Sequence, residues 1–176
     1  MLKGRRSGIV GPVAECFRVP ANLEGVMEAA LGSRLQDLVV ERWSDAEAAI
    51  AWLASEGAGR ATFLPLDSLR PLPALRVPEG SGIVGIASEL IQAEQGVRPA
   101  LEVLLGRTLV VEDLPSASRV LKAQAADHIP SQIVTLAGEI VRSDGRISGG
   151  RGGSTSILAR ERERRDLPGL VSEATR

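Results

Sequence analysis

A short string recurs in this chain at an offset of 74 residues. Ser7-Gly8-Ile9-Val10-Gly11 reappears as Ser81-Gly82-Ile83-Val84-Gly85. In the same register Glu15 falls on Glu89, Glu28 on Glu102, Leu31-Gly32 on Leu105-Gly106, and Leu35 on Leu109. From Gly8 to Leu35, nine of 28 positions are identical, where ordinary composition gives roughly two or three. After a three-residue shift, Leu38-Val39-Val40-Glu41 lies on Leu109-Val110-Val111-Glu112, with Ala46 and Ile50 opposite Ala117 and Leu121. A chain of two related halves must form the same elements twice.

Each half reads alike. Val26, Met27, Ala30 and Leu31 lie at helical spacing and predict a helix over 23–31, stopped by Gly32. Its counterpart spans 97–105 and ends at Gly106. Apolar-rich runs at 35–40 and 108–111 predict strands covered on both faces. A second helix opens at Ser44-Asp45-Ala46-Glu47, a cap with an acid three residues on, and buries Ala49, Ile50 and Leu53. Its partner covers 116–126. Short strands at 61–64, 133–136 and 140–141 close the halves, giving two mixed α/β layers. Three prolines in the eight residues from Pro71 to Pro78 predict an extended linker between them.

Composition removes several functions. The 176 residues carry 21 Lys+Arg against 22 Asp+Glu, so a bulk polycation coating nucleic acid is excluded, though a local basic patch is not. One cysteine, Cys16, excludes an intrachain disulfide and reads as a small buried hydrophobe. One histidine, His128, removes most histidine-based metal and triad chemistry and is expected on a loop. Aromatics amount to 2%, too few for a run of base-stacking platforms. No apolar run reaches the roughly 20 residues of a membrane span, and no signal peptide follows Met1, so the expected compartment is the cytoplasm.

Two glycine strings invite a nucleotide. Gly80-Ser81-Gly82-Ile83-Val84-Gly85 fits G-x-G-x-x-G, but that chemistry needs a strand-to-helix turn. Here a proline-rich segment precedes the string and a β-like run occupies it. A small nucleotide-binding enzyme domain using Gly80–Gly85 is the alternative reading. Residues 145–151 lack the Lys-Ser/Thr pair of a phosphate loop, so no ATPase is expected in this chain. Gly149-Gly150-Arg151-Gly152-Gly153 reads equally as a flexible linker or as a strip for close approach to another chain, with the apolar run 133–141 as a pairing edge. Basic residues gather near the two ends: Lys3, Arg5 and Arg6, then Arg142, Arg146, Arg151, Arg160, Arg162, Arg164 and Arg165. From Ser156 onward, Ile157, Leu158, Leu167, Leu170 and Val171 fit a helical seam that Pro168 interrupts.

Taken together, these strings resemble the hinge domain of SMC (structural maintenance of chromosomes) proteins of the prokaryotic homodimeric type. The carriers are Gly8 to Ala14, Ala29 to Gln36 with Val39-Val40, and Gly59-Arg-Ala-Thr-Phe-Leu-Pro-Leu66. In the second half they are Leu104 to Val111, Ile133 to Leu136 with Gly138-Glu139, and Gly145 to Gly150. The resemblance implies an α/β fold of two pseudo-symmetric subdomains, 1–75 and 76–153, forming a toroidal homodimer. Residues 154–176 would begin the returning coiled-coil helix, with a short stub at the other terminus. It implies dimer-interface glycines at Gly145, Gly149 and Gly150. It implies DNA contacts, carried onto Lys3, Arg5, Arg6, Arg151 and Arg160, with Arg142 and Arg146 added on charge. The expected role is joining two arms of a chromosome-organising, nucleoid-associated ATPase whose head lies elsewhere. No cofactor, metal, membrane or small-molecule substrate is expected.

Overall fold

The computed structural model describes residues 8–73, 75–77, 80–123, 130–150 and 156–174, with side chains in the last helix through 165. The first half runs β1 (Ile9–Pro12), α1 (Val13–Cys16), β2 (Phe17–Arg18), α2 (Glu24–Leu31), β3 (Leu38–Val40), α3 (Trp43–Glu56) and β4 (Phe63–Pro65). The second runs β5 (Ile83–Ile86), β6 (Gln92–Ala93), α4 (Arg98–Leu105), β7 (Thr108–Val111), α5 (Leu114–Ala123), β8 (Gln132–Thr135), β9 (Ile140–Arg142) and β10 (Ile147–Ser148). A helix α6, Ile157–Ala174, follows.

The repeat seen in sequence is a repeat of backbone geometry. β1 pairs antiparallel with β3 through a register shift between Ile9 and Gly11. β5 pairs with β7 in the same way, with its shift between Ile83 and Gly85. The peptide N–H of Glu41 donates to Gly8 O at 2.8 Å, and that of Glu112 donates to Gly82 O at 2.8 Å. β3 then pairs in parallel with β4, and β7 in parallel with β8. The second half of G-x-G-x-x-G therefore lies in a paired strand entered from a turn, not at the strand-to-helix turn a dinucleotide needs.

The three-residue shift has a structural cause. A 3-10 segment, Gly32–Gln36, separates α2 from β3, whereas Gly106 and Arg107 alone separate α4 from β7. Leu35 is therefore not in a strand, as its apolar neighbours predict; it is buried from this 3-10 turn. The strand pairing also sets Leu109 opposite Ile86 as Leu38 stands opposite Pro12, so the Leu35–Leu109 identity is not a structural correspondence.

The halves are joined through their like parts. β2 and β6, near-equivalent in the repeat, pair antiparallel with each other and form a two-stranded sheet. One apolar core runs across both halves. It includes Val13, Phe17, Met27, Leu31 and Val39 from the first and Ala87, Leu101, Leu105, Val110 and Val134 from the second. Gln132 reinforces the junction, its Nε2 donating to Ala30 O at 3.0 Å. A second cluster, including Ile86, Leu109, Val111, Val120 and Ile133, fills the other face of the second-half sheet beneath α5. Leu75, 5% exposed, plugs that cluster, so the proline-rich connection is anchored midway.

The α3 cap differs from expectation. The N-cap residue is Arg42, not Ser44, and Asp45 at the third helical position accepts from the Arg42 N–H at 3.1 Å. Asp67 accepts from the Trp43 N–H at 2.9 Å, which satisfies one more of the donors a helix start leaves open. Ala46 and Ala49 are buried, while Ile50 is 53% exposed. α6 also departs from the sequence reading: it continues through Pro168 to Ala174. A proline inside a helix forfeits one ladder hydrogen bond, and the helix continues without it.

Candidate functional site

Three regions bring chemistry or open surface together. The first is the pair of sheet edges. The second-half sheet has the order β10-β9-β8-β7-β5, and the first-half sheet the order β1-β3-β4. The run 133–141 therefore does not supply the outer edge: β8 is interior, and the edge is β10. Residues 132–135 are fully enclosed because β8 is paired on both sides and packed on both faces, a placement no local pattern distinguishes from an edge. On β10, Ile147 is 64% exposed. β4 is one edge of the first-half sheet, and its last residue is Pro65, which has no N–H to offer a neighbour.

Beside β4 lies an apolar hollow lined by Ile9, Leu38, Trp52, Leu53, Ala61 and Phe63. Ile50 and Trp43, 57% exposed, extend from the same helix. In the second half the equivalent sheet face is sealed by α5 and Leu75. The two halves are alike in fold and unlike in what they cover.

The predicted interface glycines have different local roles. Gly145 occupies a three-residue hairpin loop with φ +89°, its N–H donating to Arg142 O at 2.9 Å, the geometry that a left-handed glycine closes. Gly149 backs onto Glu139, and a Cβ there would stand 2.9 Å from its Cγ. Gly150 has φ +120° and open space around it.

The second region is the root of α6. Glu28 Oε1 accepts from Ser156 Oγ at 2.6 Å and from the Leu158 N–H at 2.8 Å, capping the helix from another element. Arg162 Nε reaches the nearly buried Glu24 carboxylate at 2.7 Å, and Arg164 bridges Glu15 and Glu161. Leu158, 5% exposed, enters the shared core. Acids of the first half thus hold the last helix.

Cys16 lies near this root in a polar cleft of about 410 Å³, beside Glu15, Arg18, Gln92, Glu94 and Arg165. It is half-buried, not enclosed as its apolar neighbours predict. Burial first, then the charges of Glu15 and Glu94, raise the thiol from an ordinary 9.0 to about 11. The native thiolate is disfavoured, so this residue contributes stability below pH 9 that is lost as pH rises towards 11. Iodoacetamide at pH 8 is expected to alkylate Cys16 far more slowly in native protein than in denatured protein. Equal rates would contradict this environment. Among the described residues, no group of three His, Cys, Asp or Glu is placed to hold a metal ion.

The third region is basic. Of the arginines expected to contact DNA, Arg146 is paired with Asp144 at 2.7 Å on the β9–β10 turn, and Arg160 is exposed on α6. Hydrogen bonds from Arg146 hold the Asp144 carboxyl below the usual range. Lys3, Arg5, Arg6, Arg151 and His128 lie outside the described residues. Arg142 is brought instead beside Arg34, Arg70 and Arg107 around a cleft of about 340 Å³. Those three were not expected from the sequence, because they belong to separate segments that only the fold brings together.

A family model described as the SMC proteins flexible hinge domain matches residues 6–121, which is more than half of the chain. The chain belongs to the SMC hinge family. The chromosome partition protein Smc of Bacillus subtilis is 34% identical over 178 residues, covering 97% of this chain and 15% of that protein. Smc of Halothermothrix orenii is 33% identical over 171 residues, covering 94% and 14%. The hinge thus spans about a seventh of the length of these curated relatives. Among solved structures, the SMC hinge domain of Geobacillus stearothermophilus, described as an asymmetric dimer, matches with TM-score 0.82 and 37% identity over 94% of this chain and 68% of that one. The Pyrococcus furiosus SMC hinge domain matches at TM-score 0.68 and 32% identity, over 85% and 78%. The mixed α/β hinge fold expected from the sequence is the fold observed. The nucleotide-enzyme alternative finds no support in the fold or in these relatives.

Proposed function

We propose that this hinge dimerises, joining two arms of a chromosome-partition SMC protein. The carrying observation is the complementary exposure of unlike halves: an open β10 edge with exposed Ile147 in one, an open β4 edge beside an apolar hollow in the other. When β10 of one copy adds to β4 of its partner, a two-fold axis makes the contact twice and closes a ring. No described residue lies within 4 Å of a Cβ position at Gly150, which leaves the partner backbone room to approach. The dimer described for the Geobacillus hinge supports dimerisation, though that dimer is asymmetric. Subdomains of 1–75 and 76–153 and a returning arm from 154 belong to it, as does an ATPase head elsewhere in the full-length protein.

Light scattering at micromolar concentration should return about twice the 18.5 kDa chain mass. A single-chain mass would overturn the proposal. DNA contact near the arm roots is the second part of the reading, carried by Lys3, Arg5, Arg6, Arg151 and the exposed Arg160, with Arg142 and Arg146 on the second half. Its measure is a fall of log affinity with log salt, made shallower by substituting these residues.

A further inference from the structure

The cleft that gathers Arg142 has properties the dimer does not use. Arg34 enters it from the 3-10 turn after α2, Arg70 from the connection after β4, Arg107 from the turn before β7, and Arg142 from β9. Four guanidinium groups therefore share about 340 Å³ with one carboxylate, Glu102. That carboxylate is already engaged: Arg98 binds it at 2.7 Å, and Ser88 Oγ donates to it at 3.1 Å. In a chain of net charge −1, this is a local concentration of positive charge.

Two of the arginines are fixed and two are open. Arg34 donates to Ala30 O at 2.8 Å and Leu31 O at 3.3 Å, and Arg107 donates to Pro73 O at 3.3 Å. Arg70 and Arg142 are exposed, with no carboxylate within ion-pair distance among the described residues. Asp144 acts on Arg142 only at longer range and is committed to Arg146. Burial and then the charge of Arg142 hold the Arg34 guanidinium below its ordinary range, with Asp37 opposing. Like charges held together this way favour an anion between them.

Gln132 is a second, independent observation. It lines the cleft at 3% exposure, and its Nε2 is spent on Ala30 O and Thr108 Oγ1, both at 3.0 Å. Its Oε1 is buried with no hydrogen-bond partner. A buried amide oxygen without a donor is costly, and neighbouring guanidiniums do not reach it.

We propose that this cleft binds a phosphate-bearing ligand. Arg70 and Arg142 would hold its anionic oxygens. More than one negative charge is needed to balance four guanidiniums, which favours phosphate over carboxylate. A free di- or polyphosphate and a terminal phosphate of nucleic acid share this chemistry. All four arginines belong to one chain, so the site does not rest on dimerisation.

Calorimetric titration of the whole chain at low salt tests it, using pyrophosphate and a short 5′-phosphorylated single-stranded oligonucleotide. At least one probe is expected to bind in the micromolar range. Arg70→Gln and Arg142→Gln, both at exposed positions, are each expected to weaken that binding tenfold or more while leaving the circular dichroism unchanged. Displacement of pyrophosphate by the oligonucleotide assigns the phosphate to nucleic acid; pyrophosphate binding without displacement assigns it to a free ligand. No binding of either probe at millimolar concentration overturns the proposal, and so does binding that both variants leave intact.

Discussion

Replacing Ile147 by aspartate is expected to turn a dimeric hinge into a folded monomer. In a single chain Ile147 is 64% exposed on the edge strand, so the substitution removes little intramolecular packing. In the proposed dimer it faces the apolar hollow beside β4, and a carboxylate there would be desolvated without a partner. Such a change costs about 2 kcal/mol or more at a buried interface position. Two-fold symmetry repeats it, so the pair of contacts loses about 4 kcal/mol, or roughly a thousandfold in dissociation constant. Sedimentation at micromolar concentration should then give the single-chain mass, with helix content unchanged. Gly150→Val should act in the same direction: no described residue lies within 4 Å of a Cβ there, and the strain of a side chain at φ +120° is borne by monomer and dimer alike. A dimer that survives both changes would place the interface elsewhere.

The sequence exposes the parts of this fold that depend on local chemistry. Gly8 and Gly82 are legible as a repeat because each closes the same bulged strand pairing. The two helices ending at Leu31 and Leu105 are legible because their buried residues recur at helical spacing. What fails depends on tertiary context. Leu35 looks like strand because it sits three residues before the apolar Leu38-Val39-Val40, yet a 3-10 turn buries it equally well. Ile50 looks like core, yet the helix packs through Ala46 and Ala49 and leaves Ile50 53% exposed. The apolar run around Ile133 looks like an edge until β9 and β10 are seen to continue the sheet beyond it. Charge is read from sequence in the same local way. Arginines are collected by proximity in sequence, whereas Arg34, Arg70, Arg107 and Arg142 meet only after both halves have folded onto one core.

Gly82→Ala and Gly8→Ala are expected to be strongly destabilising single-methyl changes. Gly82 has φ +84° and Gly8 has φ +95°, a region in which an L-residue is strained. Space is also closed. A Cβ on Gly82 would overlap Ser116 Oγ and stand 2.9 Å from Ser116 Cβ, and one on Gly8 would overlap the Asp45 carboxyl. Neither obstacle is free to move. Ser116 is 2% exposed and donates to Asp113 at 2.6 Å, and Asp45 caps the start of α3. Relieving the overlap therefore disturbs a helix start in either half. Strain and overpacking together cost about 3 kcal/mol, which lowers the melting temperature by about 10 °C in a chain of this size. Gly25→Ala supplies the opposite sign. Gly25 lies exposed in α2 with nothing within 4 Å of its Cβ position, so alanine there should stabilise by about 0.5 kcal/mol. Thermal melts of the three variants side by side separate the two effects. Equal, small shifts in all three would show that the paired glycines are not what holds the repeated strand in place.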